Sequence, residues 1–231
     1  MWKTKDCIMP KKENQEFMGI ICPPSNRSYE SLLTWIFGEK RNIEICAHTA
    51  YRDIQRNLVG IRDYKDKKLW RDDIEELITH CIRDLFTLNL TQQEAFDDWH
   101  KNTCEKIMKS SGEDKVPLAN GFTYGLAQKW FNMTFKNMRI MEKWDTELDK
   151  IKKYLHVPVD SIILKAASEM LKMEIIDKQG QFQLYKEGVS KPWSKWNYDD
   201  YIMFQKKLRK SVDCPMDWEF DAWNKIKNEQ K

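Results

Sequence analysis

Apolar residues recur at three- and four-residue spacing along most of this 231-residue chain, and that period limits the fold more than any other feature. Residues 28–37 carry Leu32, Leu33, Ile36 and Phe37 and stop at Gly38. Residues 40–58 carry Ile43, Cys46, Ala47, Ala50, Ile54 and Leu58 and stop at Gly60. Residues 71–87 follow Ile74, Leu77, Ile78, Cys81, Ile82 and Leu85. Thr91 with Glu94 forms a capping-box signature for a helix to about residue 109. After a loop at 110–121, the spacing predicts helices over 124–141, 145–155 and from Pro158 to about Met173, with two closing helices from near Asn197 and Pro215. Residues 174–187, around Gln179-Gly180, read as a small β-hairpin. The expectation is a mainly α protein of about nine helices in one compact unit. It has an N-terminal helical lobe (1–110) and a C-terminal helical lobe (111–231), hinged at 110–121.

Composition narrows the class. With 41% hydrophobic and 12% aromatic residues the chain is neither disordered nor fibrous. Only 8 Gly and 7 Pro leave too few turns for a many-stranded sandwich or barrel. No uncharged apolar run approaches membrane-spanning length, and Met1–Phe17 is Lys-rich without a signal-like apolar stretch, so a cytoplasmic protein is expected. The six cysteines form no C-x-x-C pair, and the four histidines form no H-E-x-x-H or H-x-x-x-H motif. No metal or other cofactor is therefore expected.

The formal charge of +3 is unevenly placed. Lys115, Lys129, Lys136 and Arg139 lie in a stretch with no acid between Asp114 and Glu142, so the rest of the chain is net negative. Tyr124, Trp130, Phe131, Asn132 and Asn137 are interleaved with these cations. Cations for phosphates and flat rings for bases are what a nucleic-acid contact needs. The competing reading is a core-facing helix with a solvated lysine edge. Helical geometry puts Lys129, Asn132 and Lys136 on one face, opposite Ala127, Phe131 and Phe135, which predicts lysines on a rim or surface with Trp130 beside them. A partly desolvated lysine next to a second cation has the character of a nucleophile.

The run Gly125-Leu-Ala-Gln-Lys129-Trp-Phe-Asn-Met-Thr-Phe-Lys136, followed by His156-Val-Pro-Val-Asp160-Ser, resembles the core of the helix–hairpin–helix DNA glycosylases, nearest the archaeal-type 8-oxoguanine branch. The resemblance covers about one fifth of the chain. It implies duplex DNA with a flipped base as partner, and excision of an oxidised or modified purine such as 8-oxoguanine. Lys129 would attack the sugar C1′ to leave a Schiff base, with β-elimination as a possible lyase step. Asp160 would take the lysine proton or stabilise charge on the sugar. Lys115, Gly125, Gln128, Asn132, Lys136 and Arg139 would contact DNA. Trp130, Trp218 and Trp223 are candidates for the base pocket. A monomer is expected. The tight Gly-x-Gly hairpin of the family is altered here, since Gly121 and Gly125 are four residues apart. Asp160, after Pro158, could equally serve the free N–H groups of a helix start.

Two further readings stay open. Arg41 and His48, seven apart on a predicted helix, match the R-x6-H spacing of HEPN-type ribonucleases, which are all-α. The aromatic residues from Trp193 to Trp223 form either core or a protein-interaction patch.

Overall fold

The structure, a computed structural model, describes residues 26–111, 118, 121–173 and 191–228. Within them are nine α-helices: α1 (Asn26–Phe37), α2 (Ile43–Ile54), α3 (Lys67–Thr87), α4 (Gln93–Ser110), α5 (Tyr124–Met141), α6 (Asp145–Ile151), α7 (Ser161–Leu171), α8 (Tyr198–Leu208) and α9 (Pro215–Asn228). No strand occurs among the described residues, and the expected hairpin at 174–187 lies outside them. The protein is mainly α.

The helix boundaries follow local chemistry. Asn42 caps α2 by accepting from the Ile45 N–H at 3.0 Å, so the helix begins after Arg41 rather than at residue 40. α4 begins at Gln93, one residue later than the capping-box reading of Thr91 requires. The Thr91 carbonyl instead accepts from the Tyr154 hydroxyl. Thr123 caps α5 through Leu126, and Asn197 with Asp200 forms a reciprocal capping box on α8.

α5 is the centre of the molecule. It packs most extensively on α2, and also on α4, α8 and the 3₁₀ turn at Trp193–Lys195. A hydrophobic-all-round helix is normally a buried one, yet α5 is buried on nearly every side while carrying Gln128, Lys129, Asn132, Lys136 and Asn137. One continuous apolar core runs from Leu33 to Met216, joining the helices that precede Ser111 to those that follow Gly121.

Gly125 shows how tightly α5 is seated. A Cβ there would stand 2.1 Å from the Trp193 carbonyl oxygen, and its N–H donates to Trp196 O at 3.0 Å. Only glycine allows the chain before α8 to lie against the first turn of α5.

Candidate functional site

The segment His156–Asp160 crosses the interior between α6 and α7 without helical partners, and its residues are buried. Its backbone groups must find hydrogen bonds elsewhere. Gln205 of α8 accepts from the Val157 N–H at 3.3 Å and donates to the Val157 carbonyl at 2.8 Å. Pro158 has no N–H to satisfy. Gln128 of α5 accepts from the Val159 N–H and donates to the Val159 carbonyl, both at 3.1 Å. Each glutamine amide thus acts as a neighbouring strand would. Asp160 follows as the α7 N-cap, its Oδ1 accepting from the Ile163 N–H at 2.9 Å.

This clamp sets Asp160 against α5. Lys129 Nζ donates to Asp160 Oδ2 at 2.7 Å, and both residues are buried. The carboxylate therefore serves both roles considered for it, one oxygen capping the helix and the other holding the lysine. Burial would raise the Asp160 carboxyl, but the charge and hydrogen bond of Lys129 and the N–H groups of Ile163 and Ile162 outweigh it and hold the group below its ordinary value. Asp160 is thus ionised at neutral pH.

About two turns further along α5, Lys136 Nζ donates to Glu219 Oε1 of α9 at 2.7 Å. It also lies 5.1 Å from the Phe220 ring centre and 5.4 Å from that of Trp223. Burial pushes the Glu219 carboxyl up despite Lys136, and its Oε2 is buried with no hydrogen-bond partner. The two ion pairs form the inner wall of a cleft of about 270 Å³, close to the lower end of small-molecule sites at roughly 300 Å³. Met133 and Ile162 supply apolar surface, and Trp223 stands at the mouth, 37% exposed.

Behind Gln128 lies a second polar layer. Asn132 donates to Tyr201 Oη at 2.8 Å and pairs through Oδ1 with His100 Nε2 at 2.9 Å. His156 Nδ1 is 2.8 Å from Tyr201 Oη, and its Nε2 is 2.7 Å from Asp97 Oδ1. Arg209 completes the set by donating to Asp97 Oδ2 at 2.8 Å. Burial lowers both histidines, so the rings are neutral, and the contacts fit Nε2–H tautomers on both. Arg209 alone of these residues is partly exposed, and Asn132 ties the layer to the clamp by donating to Gln128 Oε1 and Val157 O, both at 3.2 Å.

The structure redistributes the other expected site residues. Lys129, Asn132 and Lys136 do share a face, but that face is buried under α7, α8 and α9 rather than exposed. Gly125, Gln128 and Asn132 are interior and cannot meet a duplex. Arg139 is engaged by Asp145, Asp149 and Asp217. Lys115 lies outside the described residues. The described cations of the acid-free stretch are therefore each paired with carboxylates outside it. Trp130 turns away from the cleft, donating to Ala47 O at 2.9 Å and packing on Tyr51 and Trp70. Trp218 is half-buried beside Ala166, Ala222 and Ile226, away from the cleft lining. Only Trp223 of the three tryptophans borders the cleft. Trp196, Tyr201 and Phe204 are core residues. Glu219, Arg52, Asp53 and Arg56 border the cleft without having been singled out in the sequence. A signal existed for one of them: Glu219 and Trp223, four apart, share a helical face.

Arg41 precedes α2 and donates to Gly38 O and Thr34 Oγ1, whereas His48 pairs with Glu75 at 3.1 Å. No hydrogen bond joins Arg41 to His48 among the described residues. Among the same residues, no cluster of three His, Cys, Asp or Glu side chains is arranged to hold a metal, and no helix is long and apolar enough to cross a membrane. Compared with family models, curated proteins and solved structures, the chain matches none.

Proposed function

We propose that the cleft is the active site of a DNA base-excision glycosylase acting on an oxidised purine such as 8-oxoguanine. The observation that carries this reading is the buried Lys129–Asp160 contact at 2.7 Å on the wall of a cleft with an aromatic mouth. An amine nucleophile and an adjacent ionised carboxylate are the pair such chemistry requires.

In the proposed reaction, Lys129 passes a proton to Asp160 and its free amine attacks C1′ of a flipped nucleotide. The C1′–N9 bond breaks, its electron pair leaves with the purine, and the purine takes the proton held by Asp160, while the surplus proton of the new secondary ammonium passes to O4′. Opening of the sugar at C1′–O4′ then leaves an iminium on Nζ. Loss of a C2′ proton from it can expel the 3′ phosphate. Trp223 offers a ring for stacking the base. The neutral pairing inside the cleft suits an uncharged base better than an anion.

Borohydride tests this directly. Incubation with an 8-oxoguanine duplex should trap a protein–DNA adduct that disappears in Lys129→Gln and is retained in Lys101→Gln. If the folded wild-type protein gives neither adduct nor released base, the reading is wrong.

A further inference from the structure

The interior of the cleft is electrically paired, but its rim is not. Five cations and three carboxylates line it. Lys129 is matched by Asp160 and Lys136 by Glu219, which leaves Arg52, Arg56 and Lys227 against Asp53 alone. Arg52 and Arg56 are exposed, and neither makes a side-chain hydrogen bond or ion pair among the described residues. Lys227 lies over the Trp223 ring at 5.7 Å. Excess positive charge thus surrounds the entrance to a chamber that is itself neutral.

That distribution is complementary to a nucleotide held within a strand. The base is uncharged and enters the paired interior, while the phosphodiesters on either side stay at the mouth. We propose that Arg52 and Arg56 form a phosphate clamp, which binds the DNA backbone flanking the nucleotide inserted in the cleft. This rests on the glycosylase reading of the same cleft and assigns its DNA contact to residues that the linear charge pattern does not indicate. The two arginines are four residues apart, from the last turn of α2 into the 3₁₀ turn at Gln55–Asn57, so their side chains rise from neighbouring positions. Guanidinium groups can meet phosphate oxygens in a two-point fork. The carbonyl end of α2 is at this point and carries partial negative charge, so the backbone contributes no anion attraction and the side chains must supply it.

The test is the salt dependence of duplex binding, read by fluorescence anisotropy for an 8-oxoguanine duplex. Each lost phosphate contact flattens the slope of log K against log salt by about 0.9. The Arg52→Ala/Arg56→Ala protein should therefore lose about 1.8 of slope. Lys206→Ala/Lys210→Ala, exposed on α8 and in the turn that follows it, should leave the slope unchanged. Binding of free 8-oxo-2′-deoxyguanosine should be the same in the arginine variant as in wild type, because that ligand carries no phosphate. An unchanged slope in the arginine variant, or an equal loss in the lysine variant, overturns the clamp. The borohydride adduct separates the two proposals. A flattened slope with no wild-type adduct keeps the clamp and removes the glycosylase, whereas an adduct with an unchanged slope does the reverse.

Discussion

Replacing Asp160 separates the two tasks its carboxylate performs. Asp160→Asn keeps an N-cap acceptor for the Ile163 N–H, since asparagine caps about as well as aspartate, but removes the charge facing Lys129. Lys129 is 6% exposed, so its ammonium cannot recover full hydration without moving into the cleft. Breaking a buried pair on one side costs about 3–5 kcal/mol. The opening beside the lysine favours the lower end of that range. Asp160→Asn should thus lose about 3 kcal/mol in urea unfolding at pH 7, a large share of a typical 5–15 kcal/mol. Asp160→Ala should lose about 1 kcal/mol more, for the missing cap. The gap between wild type and Asp160→Asn also has a pH signature. The folded Asp160 carboxyl lies below its ordinary value of 3.8, so its contribution is fully present above about pH 4 and fades as pH falls through the folded value. The gap should narrow in that acid range. If Asp160→Asn stays within about 1 kcal/mol of wild type at pH 7, the pair is not the buried, mutually dependent contact argued above.

Three other perturbations probe the frame around the site. Gln128→Leu leaves the Val159 N–H and carbonyl unpaired inside the protein and should cost about 2–4 kcal/mol in denaturant unfolding, with faster hydrogen exchange at Val159. Gly125→Ala sets a methyl against the Trp193 carbonyl, which is backbone and cannot rotate aside, so a loss of about 1–3 kcal/mol or more should appear as a lower Tm. In acid, the lowered pKa values of buried His100 and His156 make stability fall as pH drops below 6.5. Asp97 then adds to the loss: burial opposes ionisation, but the His156 and Gln93 hydrogen bonds and Arg209 hold the group at about 2. Its contribution of about 2 kcal/mol should vanish between pH 3.8 and 2, and an Asp97→Asn protein should lack that part of the acid transition.

The helical class and most helix limits are legible in the spacing of apolar residues, because a helix that buries one side must repeat near 3.6. α5, α8 and α9 begin within one residue of the expected starts at Tyr124, Asn197 and Pro215. The candidate pair, Lys129 with Asp160, was legible too, through resemblance in a short motif. What the period could not show is that α5 is enclosed on its polar side as well. Periodicity separates polar from apolar faces, but whether a polar face meets water or a partner depends on segments far away in the chain.

The charge island makes the same point. Read along the chain, Lys129, Lys136 and Arg139 are unopposed cations. In the folded protein they meet Asp160, Glu219 and Asp145, brought to them by α7, α9 and α6. Coulomb attraction falls with distance in space and takes no account of distance in sequence. The amino-acid sequence by itself determined which residues are helical and which can carry charge or chemistry. Only the tertiary structure decided which of those charges are paired inside and which, at Arg52 and Arg56, are left facing solvent.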